Sequence, residues 1–155
     1  MIASDDVRNI GDVYGTQKTT TKVRAKGYYG IKRWDEKAWD GKDPKDQPGD
    51  KLTHAKVIYT FTGDFEGDGT VEMLMAYHGE NATYVGLQLM TGRLGNRSGS
   101  FIVQISGAFE KGAARSEWTV IPGPGTGELL GIQGKGETIA HHGDTQPFTL
   151  DYRFK

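Results

Sequence analysis

Between Tyr84 and Glu110 the chain reads as two long arms around a short reversal, and this hairpin constrains the fold more than any other stretch. In the second arm Phe101, Val103, Ile105, Gly107 and Phe109 alternate with Ser100, Ile102, Gln104, Ser106 and Glu110. A period of two with one mainly apolar face is the pattern of a half-buried β-strand. In the first arm Val85, Leu87 and Leu89 share one face, while Gly86, Gln88, Met90 and Gly92 share the other, so both faces can be covered. Gly95-Asn96-Arg97-Ser98-Gly99 supplies a turn from residues that tolerate positive φ. A long hairpin whose glycines face bulky aromatics suits the wall of a barrel.

The same alternation recurs along the chain. Val23, Ala25, Gly27, Tyr29 and Ile31 set the phase of a first strand running to Trp34. Ala55, Val57, Tyr59 and Phe61 set a second, and Thr70 to His78 a third. After the hairpin, Ser116, Trp118 and Val120 share a face, Ile132 to His142 forms another strand, and Phe148, Leu150, Tyr152 and Phe154 line the last. Glycine supplies 23 of 155 residues, dispersed rather than massed, as repeated turns and strand kinks require. The expectation is an all-β fold: a single antiparallel β-barrel of about eight strands over residues 21–155, the number at which a small barrel closes.

Residues 1–20 are polar and aperiodic and read as a flexible leader. Asp40 to Lys51, with two prolines, reads as an exposed loop, either a connector or a lid. Gly63-Asp64-Phe65-Glu66-Gly67-Asp68-Gly69 reads as a hairpin turn, since it lacks the ligand spacing of a helical calcium loop. Pro122 to Gly127 is glycine-rich without the Lys-Ser/Thr ending of a phosphate loop, and Glu128-Leu129-Leu130 reads as one helical turn stopped by Gly131.

Charge and composition exclude several functions. Lys and Arg number 19 against 20 Asp and Glu, a net charge of -1, so the basic surface that nucleic-acid binding needs is missing. No cysteine is present, hence no disulfide frame, thiolate nucleophile or thiolate zinc site. The first residues lack a charged and apolar leader pattern, and no apolar run approaches membrane-spanning length, so a cytoplasmic protein is expected, without membrane or nucleic-acid partners. His141 and His142, adjacent on a strand, point to opposite faces, and His54 and His78 lack acidic neighbours at ligand spacing, so no metal or other cofactor is expected.

Taken together, several stretches resemble one family of bacterial proteins of unknown function, the DUF3224 family, grouped with the allene oxide cyclase-like β-barrels. The stretches are Gly27-Tyr28-Tyr29-Gly30-Ile31-Lys32-Arg33-Trp34-Asp35-Glu36, Gly67 to Tyr77, the hairpin from Val85-Gly86-Leu87 to Gly99-Ser100-Phe101, Trp118 to Leu129, and Leu150-Asp151-Tyr152. The resemblance covers about residue 25 to the end. It implies a closed or nearly closed barrel, allene oxide cyclase or lipocalin-like, with an interior able to hold a small molecule. It implies no reaction; relatives that do chemistry cyclise reactive, largely apolar substrates, an analogy that carries no residue roles.

With the apolar phases turned inward, the interior carries Tyr29, Tyr59, Phe61, Phe101, Trp118, Phe148 and Tyr152. Of these, Tyr29, Tyr59, Phe101, Trp118 and Tyr152, with Gln88, are the expected ligand contacts. Pairing Tyr77 with Thr83 sets Glu72 beside Gln88 inside the wall; a loop one residue different turns Glu72 outward and brings Met73 and Met75 in. The first register is expected, because the face of Gly86 and Gly92 then leaves room for a ligand. A buried carboxylate must be paired or protonated, so Glu72 is the expected catalytic residue, unless it and Gln88 merely satisfy each other. The leading expectation is a barrel that binds a small hydrophobic molecule, with cyclase or isomerase chemistry as its catalytic form. The alternatives are a structural module filled by its own side chains and, more remotely, a carboxylate-dependent hydrolase. The Val85, Leu87 and Leu89 stripe on the outside predicts a homo-oligomer.

Overall fold

The computed structural model describes residues 21–46 and 49–155, and in it the alternating segments become strands. These are β1 (Val23–Ala38), β2 (Lys51–Gly63), β3 (Phe65–His78), β4 (Asn81–Leu94), β5 (Arg97–Glu110), β6 (Ala113–Val120), the two-residue β7 (Thr126–Gly127), β8 (Ile132–Ala140) and β9 (Gln146–Phe154). Around the sheet the order is β4-β3-β2-β1-β9-β8-β6-β5, and the pairing of β4 with β5 closes it. Every pairing is antiparallel, so the architecture is a closed eight-stranded barrel with β7 added at the start of β5. Closure removes the unpaired outer edges that an open sheet of this size would carry. Among the described residues no helix is long and apolar enough to cross a membrane.

Tight turns make the long hairpins. Leu94 pairs with Arg97 and His78 with Asn81, so Gly95-Asn96 and Gly79-Glu80 are two-residue reversals. Gly79 and Gly95 take φ of 60° and 61°, the left-handed region where a Cβ is penalised. The stretch expected to turn between Gly63 and Gly69 does so only at its start. Phe65 to Gly69 already belongs to β3, where Gly67 faces Gly92 and Gly69 faces Met90. These glycines keep the wall close: a Cβ on Gly67 would stand 2.1 Å from the Thr91 carbonyl oxygen, and one on Gly69 2.7 Å from the Phe61 ring. β1 also outruns its expected end at Trp34 by four residues.

One end of the barrel is filled. Phe65, Leu94, Phe101, Leu129, Ile132 and Leu150 are all buried there. The segment Glu128-Leu129-Leu130 is a run of hydrogen-bonded turns rather than a helix, with Leu129 N–H donating to Thr126 and Ile132 N–H donating to Leu129. That run drives Leu129 into the barrel as a plug. Burying a leucine side chain completely contributes about 2 kcal/mol. The leader expected at residues 1–20 lies outside the described residues.

Two irregularities decide what faces inward at the other end. Between β1 and β2, Ile31 pairs with Tyr59 but Arg33 pairs with Ile58, leaving Lys32 as the extra residue of a bulge. The inward phase therefore moves from Tyr29 and Ile31 to Trp34, Glu36 and Ala38. Between β3 and β4, Tyr77 pairs with Ala82, which places Val71 opposite Gln88 and Glu72 opposite Leu87. This is the register one residue away from the expected one. Gln88, Met73 and Met75 are buried, and Glu72 faces solvent.

Candidate functional site

Above the filled end the interior opens into a cavity of about 680 Å³. Its floor is Phe61, buried and packed edge-to-face against Trp118 and Phe148, with ring centroids 5.9 and 5.3 Å away. Trp118 in turn lies stacked on Phe148. Gln88 closes the floor on the other side. The position a Cβ would take on Gly69 lies 2.7 Å from the Phe61 ring and 3.2 Å from the Gln88 amide, so these two side chains meet over the glycine. The walls carry Met73, Ile105, Tyr29, Tyr59, Tyr84, Ser116 and Thr138. The mouth is formed by Ile31, Trp34, Tyr77, Phe109 and the loop from His141 to Gln146. Ile31 and Trp34 are exposed, which opens the cavity to solvent on that side.

Glycines and small residues make the space, as the hairpin pattern requires. A Cβ on Gly107 would lie 2.7 Å from the Tyr84 ring and one on Gly86 2.8 Å from Met73. Tyr84 and Met73 occupy the volume those side chains would have filled, and the remaining volume stays open.

The polar groups of the cavity fall into two sets. Gln88 is 1% exposed, and its only hydrogen-bond partner among the described residues is the Met90 sulfur, 2.9 Å from the amide nitrogen. A thioether is a weak acceptor, and among the described residues the Gln88 amide oxygen receives no donor. The second set is three phenols on three different strands. Tyr84 shares a 2.6 Å hydrogen bond with Ser116 and donates to the Arg115 carbonyl oxygen at 3.5 Å, and Thr138 is the hydroxyl neighbour of Tyr29. Tyr59 stands edge-on to Tyr29 with centroids 5.0 Å apart, and its hydroxyl has no hydrogen-bond partner among the described residues. Burial pushes the hydroxyl of each of the three above the ordinary phenol range, Tyr59 furthest, with the neighbouring phenols adding to the shift. All three are therefore neutral donors at physiological pH. Among the described residues no Lys or Arg side chain lines the cavity.

At the mouth a carboxylate is held by three side chains. Glu36 accepts hydrogen bonds from the Trp34 indole at 3.0 Å, the Thr53 hydroxyl at 2.7 Å and the Tyr77 hydroxyl at 2.5 Å. Burial pushes the Tyr77 hydroxyl upward, and the adjacent Glu36 carboxylate adds to the shift. The periodicity missed Glu36, because only the Lys32 bulge turns it inward; a bulge leaves no mark in an alternating pattern.

The expected site residues divide cleanly. Tyr29, Tyr59, Gln88 and Trp118 line one cavity. Phe101 does not: it packs against Phe65 in the filled end, with centroids 6.0 Å apart. Tyr152 is also at that end, half-buried beside Phe154, because β9 runs from the mouth at Gln146 to the filled end. Glu72 is outside the barrel, its carboxylate 3.0 Å from the His54 imidazole, and both side chains are more than half exposed. The placement of Glu72 beside Gln88 is thus corrected by the register of β3 and β4, and the role argued from its burial has no support in this geometry. His54 and His78 both have acidic neighbours in space, Glu72 and Asp50, which spacing along the chain does not reveal. Among the described residues no three His, Cys, Asp or Glu side chains gather as a metal site would need. None of the described residues of the Asp40 to Lys51 loop lines the cavity.

A family model described as a protein of unknown function, DUF3224, matches residues 25–152. The chain is also similar to a crystal structure of a protein with unknown function from the DUF3224 family of Shewanella oneidensis MR-1. That similarity covers 88% of this chain and 99% of the other, at 25% identity and a TM-score of 0.70. No curated protein matches.

Proposed function

The chain belongs to the DUF3224 family, and from that premise and the geometry of its interior we propose that it is a barrel that binds a small, mainly apolar molecule. The observation that carries this reading is Gln88: an amide 1% exposed, bonded among the described residues only to a sulfur, beside an open cavity of about 680 Å³. Burying an amide without a proper partner costs about 1–3 kcal/mol. A barrel filled purely for stability gains nothing from that cost or from the unfilled volume, whereas a binding site recovers both when occupied. The size of the cavity lies within the range of pockets for drug-sized ligands. This weighs against the structural-module reading.

If the bound molecule is also transformed, the wall favours a cofactor-independent cyclisation or isomerisation. Neutral phenols can hold a developing oxyanion, and rigid rings can fix a reactive conformation. We further propose that the outer face of β3, β4 and β5 pairs with a second copy of the chain. Leu74, Val85, Leu87 and Leu89 are exposed there side by side, and a continuous apolar surface on a closed barrel marks an interface.

Two measurements test the binding reading. Native mass spectrometry of protein purified without denaturation should show a small molecule carried with it. In a variant with Trp34 and Trp39 changed to Phe, Trp118 is the only indole, and polyene or naphthalene-type compounds should quench it. A barrel that carries nothing and leaves Trp118 unmoved by such compounds would return the structural module to first place.

A further inference from the structure

The three phenols of the cavity specify more than an apolar guest. Tyr29, Tyr59 and Tyr84 come from β1, β2 and β4, yet all three line the same cavity, and the Tyr29 and Tyr59 rings stand edge-on with centroids 5.0 Å apart. Two have hydroxyl neighbours of their own. Thr138 beside Tyr29 and Ser116 beside Tyr84 can each serve as donor to the phenol oxygen. In that arrangement the phenol proton of Tyr29 is left for the cavity, whereas the Tyr84 hydroxyl donates to the Arg115 carbonyl oxygen 3.5 Å away. Among the described residues Tyr59 has no such neighbour, so no described group takes its proton. The wall therefore offers hydrogen-bond donors, while among the described residues Lys and Arg are absent from the lining. Donors without positive charge recognise a neutral acceptor, since a carboxylate or phosphate brought into this interior would lose its hydration with no cation to replace it.

We infer that Tyr59, flanked by Tyr29 and Tyr84, is the recognition point for the oxygen of a neutral carbonyl compound whose remaining surface is apolar. The carbonyl oxygen accepts from the Tyr59 hydroxyl. The hydrocarbon part then lies over Phe61 and Trp118 and against Met73 and Ile105. This inference rests on the binding reading above and narrows it to one class of ligand.

The experiment compares two probes of the same shape, 2-acetylnaphthalene and 2-isopropenylnaphthalene, in which a C=O is replaced by a C=CH2. Affinities are measured by calorimetry on the full chain and on Tyr59→Phe, which keeps the ring and removes the donor. The ketone should bind wild type about tenfold more tightly than the hydrocarbon, the effect of one buried hydrogen bond. In Tyr59→Phe that advantage should fall to within about twofold while the hydrocarbon affinity is unchanged. Equal affinities of wild type for the two probes overturn the carbonyl assignment and leave the binding reading standing. Binding of neither probe overturns both. The wild-type comparison needs no variant, so a failure of Tyr59→Phe to fold does not blunt it.

Discussion

Tyr77 donates its hydroxyl to the Glu36 carboxylate across 2.5 Å, tying β3 to β1 over the intervening β2 at the mouth of the barrel. The same carboxylate accepts from Thr53 on β2, so three strands meet at one group. Hydrogen bonds to a charged group contribute about 1.5–3 kcal/mol each, and removing the acceptor leaves the donors unsatisfied. Glu36→Ala should lower the unfolding free energy by about 2–3 kcal/mol. Glu36→Gln, which keeps an acceptor, should cost less. Urea titration checks both through the midpoint, with the slope unchanged. An Ala variant as stable as wild type would mean that the mouth does not depend on this latch.

The four phenols with raised pKa values predict an alkaline limit to the fold. Tyr29, Tyr59, Tyr77 and Tyr84 are each pushed upward, mainly by burial. From about pH 10 upward the unfolded chain loses protons that the folded chain keeps, so the folded state binds more protons and stability falls as pH rises. Each such tyrosine contributes a slope of about 1.4 kcal/mol per pH unit between its unfolded and folded pKa values. Phenolate absorbance should therefore rise in two phases, with these four of the chain's seven tyrosines ionising only as the β-sheet circular dichroism collapses. A single reversible phase near pH 10 with the β signal intact would contradict it.

The hairpin from Tyr84 to Glu110 made the barrel legible because both its faces and its glycines are periodic. Val85, Leu87 and Leu89 lie outside and Gln88 and Met90 inside, as the alternation requires. Tyr29, Tyr59 and Trp118 were legible for the same reason. What alternation cannot carry is a change of phase. The two-residue turn at Gly79-Glu80 moves Glu72 from the inside to the outside, and one added residue at Lys32 brings in Glu36. Depth along the barrel is equally invisible: Phe101 and Trp118 share an inward phase, yet only Trp118 reaches the cavity. It is set by the stagger of the strands, which depends on pairings between residues distant in sequence.

Glycines in this wall differ in what they protect, and paired substitutions separate the cases. A Cβ on Gly107 would meet the Arg115 carbonyl oxygen at 2.4 Å and the Tyr84 ring at 2.7 Å. Gly107→Ala should destabilise by about 1–3 kcal/mol, the cost of overpacking, and should strain the Tyr84–Ser116 pair. Gly79 has no atom within 4 Å of its Cβ position, but its φ of 60° disfavours a side chain. Gly79→Ala should cost only about 1 kcal/mol, from backbone strain alone. Thermal melts ranking Gly79→Ala as the worse variant would reverse the assignment of space and strain.

Self-association is tested on the outer stripe. Leu87, 52% exposed, lies among Leu74, Val85 and Leu89 and touches nothing in the cavity. Leu87→Asp should leave the melting temperature near that of wild type, since a surface change away from special features usually costs less than about 0.5 kcal/mol. Sedimentation at tens of micromolar, a concentration scale at which a weak protein pair is populated, should show an assembly for wild type and a single barrel for the variant. A wild type that sediments as one barrel removes the proposed interface.

Gln88 permits the sharpest test, because stability and binding should move in opposite directions. Its amide sits beside Phe61 with a sulfur as its only partner among the described residues, so the empty protein bears the desolvation of that group. Gln88→Leu keeps approximate volume, removes the unsatisfied amide and should stabilise the empty barrel by about 1 kcal/mol, read as a shift of the urea midpoint. The same change removes a hydrogen-bonding group from the cavity floor. The co-purifying molecule should therefore be lost or reduced in native mass spectra, although the fold is firmer. A residue kept for packing alone would behave differently: the leucine variant would be less stable, or equally stable with binding untouched. Either result would detach Gln88 from ligand recognition and leave its burial as a feature of the wall.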